Sequence, residues 1–282
     1  MAMRESEATG RRVFTGTKVP AIGLLFWAIK LVTTGIGEAT SDFLGNTNVA
    51  MAGVVGLGGI VWALRRQLRA TEYHAPTYWM AVLMVAVFGT MVADALRDGA
   101  GISYAATTAF YGVIVAAIFV LWHRAEGTLS IHSITTPERE RWYWAAVLAT
   151  FALGTAAGDL TAMEMNLGFF GSAALFAAAI AVPAVAWWAG RVNPILGFWA
   201  AYVITRPLGA SFADGFGKPH KATGLGLGDG MVTAAGLVLF AALVAYVTIT
   251  RRDVLPHRHE HHDHPHGQHR LGVPVPAAEQ AS

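Results

Sequence analysis

"FWAIKLVTTGIGEATSD", residues 26–42, reads as an apolar helix that carries Lys30, Glu38 and Asp42, and its pattern returns three more times. "YWMAVLMVAVFGTMVAD" (78–94), "YWAAVLATFALGTAAGD" (143–159) and "FWAAYVITRPLGASFAD" (198–214) align with it without a gap. Each segment opens with an aromatic residue followed by a tryptophan: Trp27, Trp79, Trp144 or Trp199. Ten residues on stands a glycine (Gly37, Gly89, Gly154, Gly209), and fifteen on an aspartate (Asp42, Asp94, Asp159, Asp214). Matches at fixed offsets in four segments mark a tandem repeat, and a repeat fixes the architecture before any single motif does.

The surrounding composition places these segments in a membrane. The 282 residues are 54% hydrophobic and 13% charged, with a mean hydropathy of +0.46. A soluble domain carries about 25% charged residues. Eight stretches approach the roughly 20 residues that a spanning helix needs: near 21–41, 48–64, 76–95, 102–122, 142–162, 167–189, 195–213 and 229–249. Backbone groups in lipid must be satisfied within the segment, and the alternation of a membrane barrel is absent, so the class is an all-α integral membrane protein. The eight helices form four tandem two-helix repeats, about 20–74, 75–136, 137–193 and 194–252, within a membrane domain of 20–252. Residues 1–19 form a short leading segment without a cleavable signal pattern, and 253–282 a polar tail.

Fifteen of the twenty Lys and Arg residues fall on the side of the N-terminus. Only Arg97, Lys218 and Lys221 fall opposite, and Lys30 and Arg206 lie within helices. The positive-inside bias puts both termini in the cytoplasm. A net charge of +2, spread in short clusters, gives no reason to expect nucleic acid as a partner. The chain has no cysteine, which excludes disulfides, thiolate metal sites and cysteine nucleophiles.

The repeated aromatic–tryptophan pairs, the "GEATSD" of the first unit and the "TRPLGASFAD…KPH" of the fourth resemble a group of bacterial membrane-anchored proteins of unknown function. That group is built from four tandem two-helix repeats, each with a tryptophan. The resemblance implies a multi-pass protein of the bacterial cytoplasmic membrane over residues 18–252, and it implies no activity.

The repeated positions suggest roles. Trp27, Trp79, Trp144 and Trp199 fall where interface-anchoring aromatics belong. Gly37, Gly89, Gly154 and Gly209 lie about 15 Å further along, near mid-membrane. Each is followed four residues later by Ser41, Ala93, Gly158 or Ala213, a small-xxx-small pattern that lets helices pack closely. The aspartates come about 22 Å beyond the tryptophans. Either they end their helices at the outer surface, or they converge on one axis and attract a cation.

The first and fourth repeats add charge. Lys30, Thr34, Glu38 and Asp42 follow one another at four-residue steps on one face. A lone carboxylate at the position of Glu38 costs about 3 kcal/mol in the bilayer, so it needs a base, a proton or a cation. Glu38 and Asp42, one turn apart, favour a shared proton or metal ion. Arg206 and Asp214 form a similar stripe, where Pro207 removes a backbone hydrogen bond and predicts a broken helix beside a charge, as in transport sites. The alternative for Lys30 and Arg206 is a structural salt bridge to a neighbouring helix. The outer loop "GFGKPHKATGLGLGDG" (215–230) reads as a lid or re-entrant segment with His220 as a candidate ligand. The tail "HRHEHHDHPHGQH" offers His257, His259, His261, His262, His264, His266 and His269 as metal ligands; the alternative is a solubilising tail.

The function expected from these residues is transport of a small cation, a divalent transition metal first, driven by proton exchange and directed outward if the tail collects cargo. Glu38 and Asp42 form the coupling pair, Asp94, Asp159 and Asp214 line the path, and Lys30 and Arg206 act as internal counter-ions. The metal ion is the candidate ligand, and the lipid bilayer is the surrounding partner. A carrier of a small organic solute and a structural or sensory membrane protein are the alternatives, and a homo-oligomer is left open. No HExxH motif or serine–lysine pair suggests an enzyme.

Overall fold

The computed structural model describes residues 17–254, so the histidine-rich segment and residues 1–16 lie outside the described residues. The described residues hold eight long α-helices: α1 (Leu24–Thr47), α2 (Val49–Arg69), α3 (Ala75–Asp94), α4 (Tyr104–Glu126), α5 (Pro137–Asp159), α6 (Gly168–Trp188), α7 (Pro194–Gly217) and α8 (Asp229–Thr250). Their starts follow from local chemistry. Asn48, Ser103, Thr136 and Asn193 each accept a hydrogen bond from a backbone N–H of the first turn, and Pro137 and Pro194 occupy first helical positions. Asn48 ends α1 and begins α2, which makes that connection the tightest of the bundle.

Six of the eight are long and apolar enough to cross a membrane, α3 and α5 with π-helical extensions to Gly99 and Glu164. The chain is a multi-pass membrane protein. The other two, α1 and α7, carry Lys30, Glu38 and Asp42, and Arg206 and Asp214.

The odd helices build an inner ring. α1 packs on α3, α3 on α5, α5 on α7, and α7 back on α1. Each even helix lies outside against the odd helix that follows it in sequence: α2 on α3, α4 on α5 and α6 on α7. The last one, α8, packs on α1 and closes the circle. The even helices turn residues such as Val54, Trp62, Val113, Val182 and Val238 outward, as lipid-facing helices do.

Two repeated contacts show fourfold pseudo-symmetry in the inner ring. First, the aromatic before each tryptophan meets the tryptophan of the next odd helix: Phe26 with Trp79, Tyr78 with Trp144, Tyr143 with Trp199, and Phe198 with Trp27, at centroid distances of 5.6, 5.7, 6.2 and 5.8 Å. Trp79, Trp144 and Trp199 are buried, which corrects the expectation of interface anchoring: the rings close the bundle from within. Second, each repeated glycine receives the residue seven after the tryptophan of the next helix. Gly37 abuts Ala86, Gly89 abuts Phe151, Gly154 abuts Arg206, and Gly209 abuts Thr34. A methyl group on Gly89 would stand 2.8 Å from the Phe151 Cβ, so these glycines set the interhelical distance. The packing role expected of them follows from this cyclic set.

Candidate functional site

The axis of the ring can be followed from the aromatic layer toward the end that carries the aspartates. Three residues after Trp27 stands Lys30, fully buried, its Nζ 4.0 Å from the Tyr202 ring centroid and 4.5 Å from that of Phe151. The amine takes no hydrogen-bond partner among the described residues, so these ring faces supply its contacts. The alternative of a salt bridge is not met for Lys30, which pairs with no carboxylate among the described residues.

One turn on, Arg206 reaches across the ring to Glu38. Its Nη2 donates to Glu38 Oε2 at 2.6 Å and to Thr155 Oγ1 at 2.7 Å, and also to Thr90 Oγ1. The hydroxyls of Thr90 and Thr155 each donate to Glu38 Oε2 at 3.2 Å. Arg206 Nη1 approaches the Thr34 carbonyl at 3.4 Å, while Arg206 Nε is buried without a partner. Glu38, Thr90 and Thr155 all stand eleven residues after their tryptophan, and Ala210 holds that place in the fourth repeat. One repeat position therefore supplies the carboxylate and both hydroxyls that hold the guanidinium. Sequence reading missed the threonines, although their alignment with Glu38 was the signal. The helix α7 runs through Pro207 unbroken, contrary to the break expected there. The proline ring lies against Gly154, where a Cβ would come to 3.0 Å from Pro207 Cδ, and this fit accommodates it within the bundle.

The next layer is acidic. Asp42 and Asp214 approach Glu38 so closely that one carboxylate oxygen from each residue lies within 4.8 Å of the others. Asp94 and Asp159 end the α-helical parts of α3 and α5, as one of the two readings expected, and their helices continue as π-helical turns. Both are half-buried and make no ion pair or side-chain hydrogen bond among the described residues. The ring thus brings Glu38, Asp42 and Asp214 together and leaves Asp94 and Asp159 beside them without partners. Three acidic oxygens at this spacing can ligate a hard or borderline cation, or share protons.

The loop between α7 and α8 covers this end. Lys218 Nζ donates to Asp42 Oδ2 at 2.6 Å, and lies 3.5 Å from Asp229 Oδ2 and 4.0 Å from Asp214 Oδ1. Burial by itself would lower the pKa of Lys218, but Asp42, Asp214 and Asp229 outweigh it and hold the ammonium above the ordinary lysine value. The loop doubles back on the end of α7 through Leu225 N–H to Gly215 O (2.7 Å), Leu227 N–H to Phe216 O (3.0 Å) and Gly228 N–H to Gly217 O (3.0 Å). His220 is exposed and its Nδ1 lies 2.8 Å from the Gly224 carbonyl, apart from the acidic trio.

At the opposite end the chain seals itself. Lys18, fully buried, pairs with Glu140 and donates to the Gln67 carbonyl at 2.9 Å, while Gln67 Nε2 donates to Glu140 Oε1 at 3.0 Å. Tyr73 donates to Asp253 at 2.5 Å, and Ala21 N–H to the Asp253 carbonyl at 2.7 Å. These polar contacts lie in loops and at helix ends, where no periodicity marks them in the sequence.

Comparison with known proteins gave no matching curated protein and no matching solved structure. A family description matches residues 77–128, 142–192 and 197–253, stretches that coincide with the second, third and fourth repeats read from the sequence. The first unit falls outside that match, although it takes its place in the same cyclic contacts. The chain belongs to the family described as Repeat of Unknown Function (DUF347).

Proposed function

We propose that this protein is a proton-coupled carrier of a small divalent cation in the bacterial cytoplasmic membrane. In this reading all eight helices cross the bilayer and the Arg-rich end faces the cytoplasm, as the distribution of Lys and Arg favours. The observation that carries the proposal is the meeting of Glu38, Asp42 and Asp214 within the inner ring, their oxygens 4.8 Å or less apart. A donor set of oxygens without imidazole or sulfur suits Mn²⁺ or a similar hard to borderline ion. A cation entering among the three carboxylates competes with Arg206 for Glu38. Release of the guanidinium frees α7 from Thr90 of α3 and Thr155 of α5, and protons returning to the carboxylates reset the lock. The aromatic layer, closed on the Arg-rich side, is the barrier that this rearrangement must open.

Proteoliposomes test the idea. Mn²⁺ flux that responds to an imposed pH gradient is expected, with Glu38→Gln lowering it at least about tenfold; one charge removed from the site is worth more than about 1.4 kcal/mol on this account. Absence of cation flux from the folded wild-type protein would sink the carrier. A second reading, uptake of a small organic anion, draws on Lys30, a buried amine without a hydrogen-bond partner among the described residues, close to Arg206 in the same ring. It requires that Lys30→Met abolish anion flux while Mn²⁺ moves through neither protein.

A further inference from the structure

Lys218 stands where a cargo cation would bind. Its ammonium lies 2.6 Å from Asp42 Oδ2, a distance at the upper end of metal–oxygen bonds to calcium, so the amine and a metal ion cannot occupy that place together. The fit is incomplete on the far side. Asp214 is 4% exposed, and its Oδ1 takes no hydrogen bond although it faces the amine from 4.0 Å. The ammonium donates to Asp42 and Asp229 and leaves the desolvated Asp214 oxygen short of a hydrogen bond, which a bound ion of two charges would not do. The loop holds the amine in register: Lys218 N–H donates to the Asp214 carbonyl at 2.8 Å, and the Lys218 carbonyl accepts from Gly226 N–H at 2.8 Å. Gly224 packs so closely on that carbonyl that a side chain has no room. On the opposite flank, Asn46 Nδ2 donates to Asp229 Oδ2 at 3.3 Å and steadies the third acid.

We propose that Lys218 is a tethered cation that fills the outer carboxylate site formed by Asp42, Asp214 and Asp229, and that a free divalent ion enters by displacing it. This rests on the reading of the acidic layer as a cation site, and it adds the residue that sets affinity there. An ion must outcompete a covalently attached rival, so weakly held monovalent ions are turned away.

Calcium binding to the full chain in detergent, followed by calorimetry, tests the proposal, because calcium seeks oxygen and leaves the histidine-rich tail out of the signal. Lys218→Met is expected to bind Ca²⁺ at least about tenfold more tightly than the wild type. Lys218→Arg, which keeps the charge, should bind like the wild type, and adding Asp214→Asn to Lys218→Met should cancel the gain. Equal or weaker binding by a folded Lys218→Met protein overturns the proposal, as does a gain that survives Asp214→Asn. Should Lys218→Met not fold, Lys218→Gln keeps a hydrogen-bond donor for Asp42 without the charge and carries the same expectation. Equilibrium Ca²⁺ binding reads Lys218 alone, whereas failure of the carrier reading would appear as missing Mn²⁺ flux.

Discussion

Removing the Arg206 guanidinium strands the buried Glu38 carboxylate between Thr90 and Thr155. Breaking a buried ion pair from one side costs about 3–5 kcal/mol, whereas replacing both partners with apolar groups is often neutral. Arg206→Leu should therefore lower thermal stability in detergent by about that amount, and Glu38→Leu added to it should restore at least half. Additive losses in the double variant would show that the pair, despite its 2.6 Å contact, does not act as one unit. Lys218 behaves differently because it stands in the loop that follows α7. Its pKa is raised, so the stability it contributes is present below the ordinary lysine value of 10.5 and is lost only as pH climbs through the raised one. The difference in melting temperature between the wild type and Lys218→Met should then stay constant from about pH 8 to about pH 10. Glu38, Asp42, Asp214, Lys30 and Arg206 were all legible in the sequence, since charges in apolar helices stand out. Their partners were not, because which helix faces which is a matter of packing.

At the scale of the helix, the repeated glycines control how near the odd helices come. A methyl group on Gly37 would overlap Ala86 and stand 2.9 Å from its carbonyl carbon, so the two helices must separate. Overpacking of this kind costs about 1–3 kcal/mol. Gly58, on the outward-facing α2, has nothing within 4 Å of where its Cβ would lie, and alanine there gains about 1 kcal/mol of helix propensity. Gly37→Ala and Gly58→Ala should accordingly shift the melting temperature in opposite directions. The helices themselves were readable in advance to within a turn or so at most ends. Their extensions beyond the apolar cores were not: α5 begins at Pro137, in a stretch of charge, because Glu140 is buried against Lys18 and Gln67. Composition marks that stretch as a loop; Thr136 and Pro137 start the helix there, and the buried contact holds its charged first turn against the bundle.

For the whole molecule, the closed ring implies that the two ends differ in access. Aromatic rings fill the Arg-rich end, whereas Asp94 and Asp159 are half-buried at the other. The chain contains no cysteine, so single cysteines can report on this directly. In sealed vesicles, Asp159→Cys should react with a membrane-impermeant maleimide applied from the face opposite the Arg-rich loops. Val147→Cys, one turn past Trp144 and fully buried, should stay unlabelled from both faces. Equal labelling at the two positions would mean a continuous aqueous pore in place of a ring closed at one end.

The sequence by itself determined a repeated, helical, membrane-embedded chain with charged side chains in its first and fourth units, because periodicity and transfer free energy act locally along the chain. Tertiary structure decided the rest. That the odd helices form one ring, that α8 returns to α1, and that Glu38, Thr90, Thr155 and Arg206 meet all depend on which glycine receives which neighbour. Such matching is a property of pairs of surfaces, and no single repeat contains both.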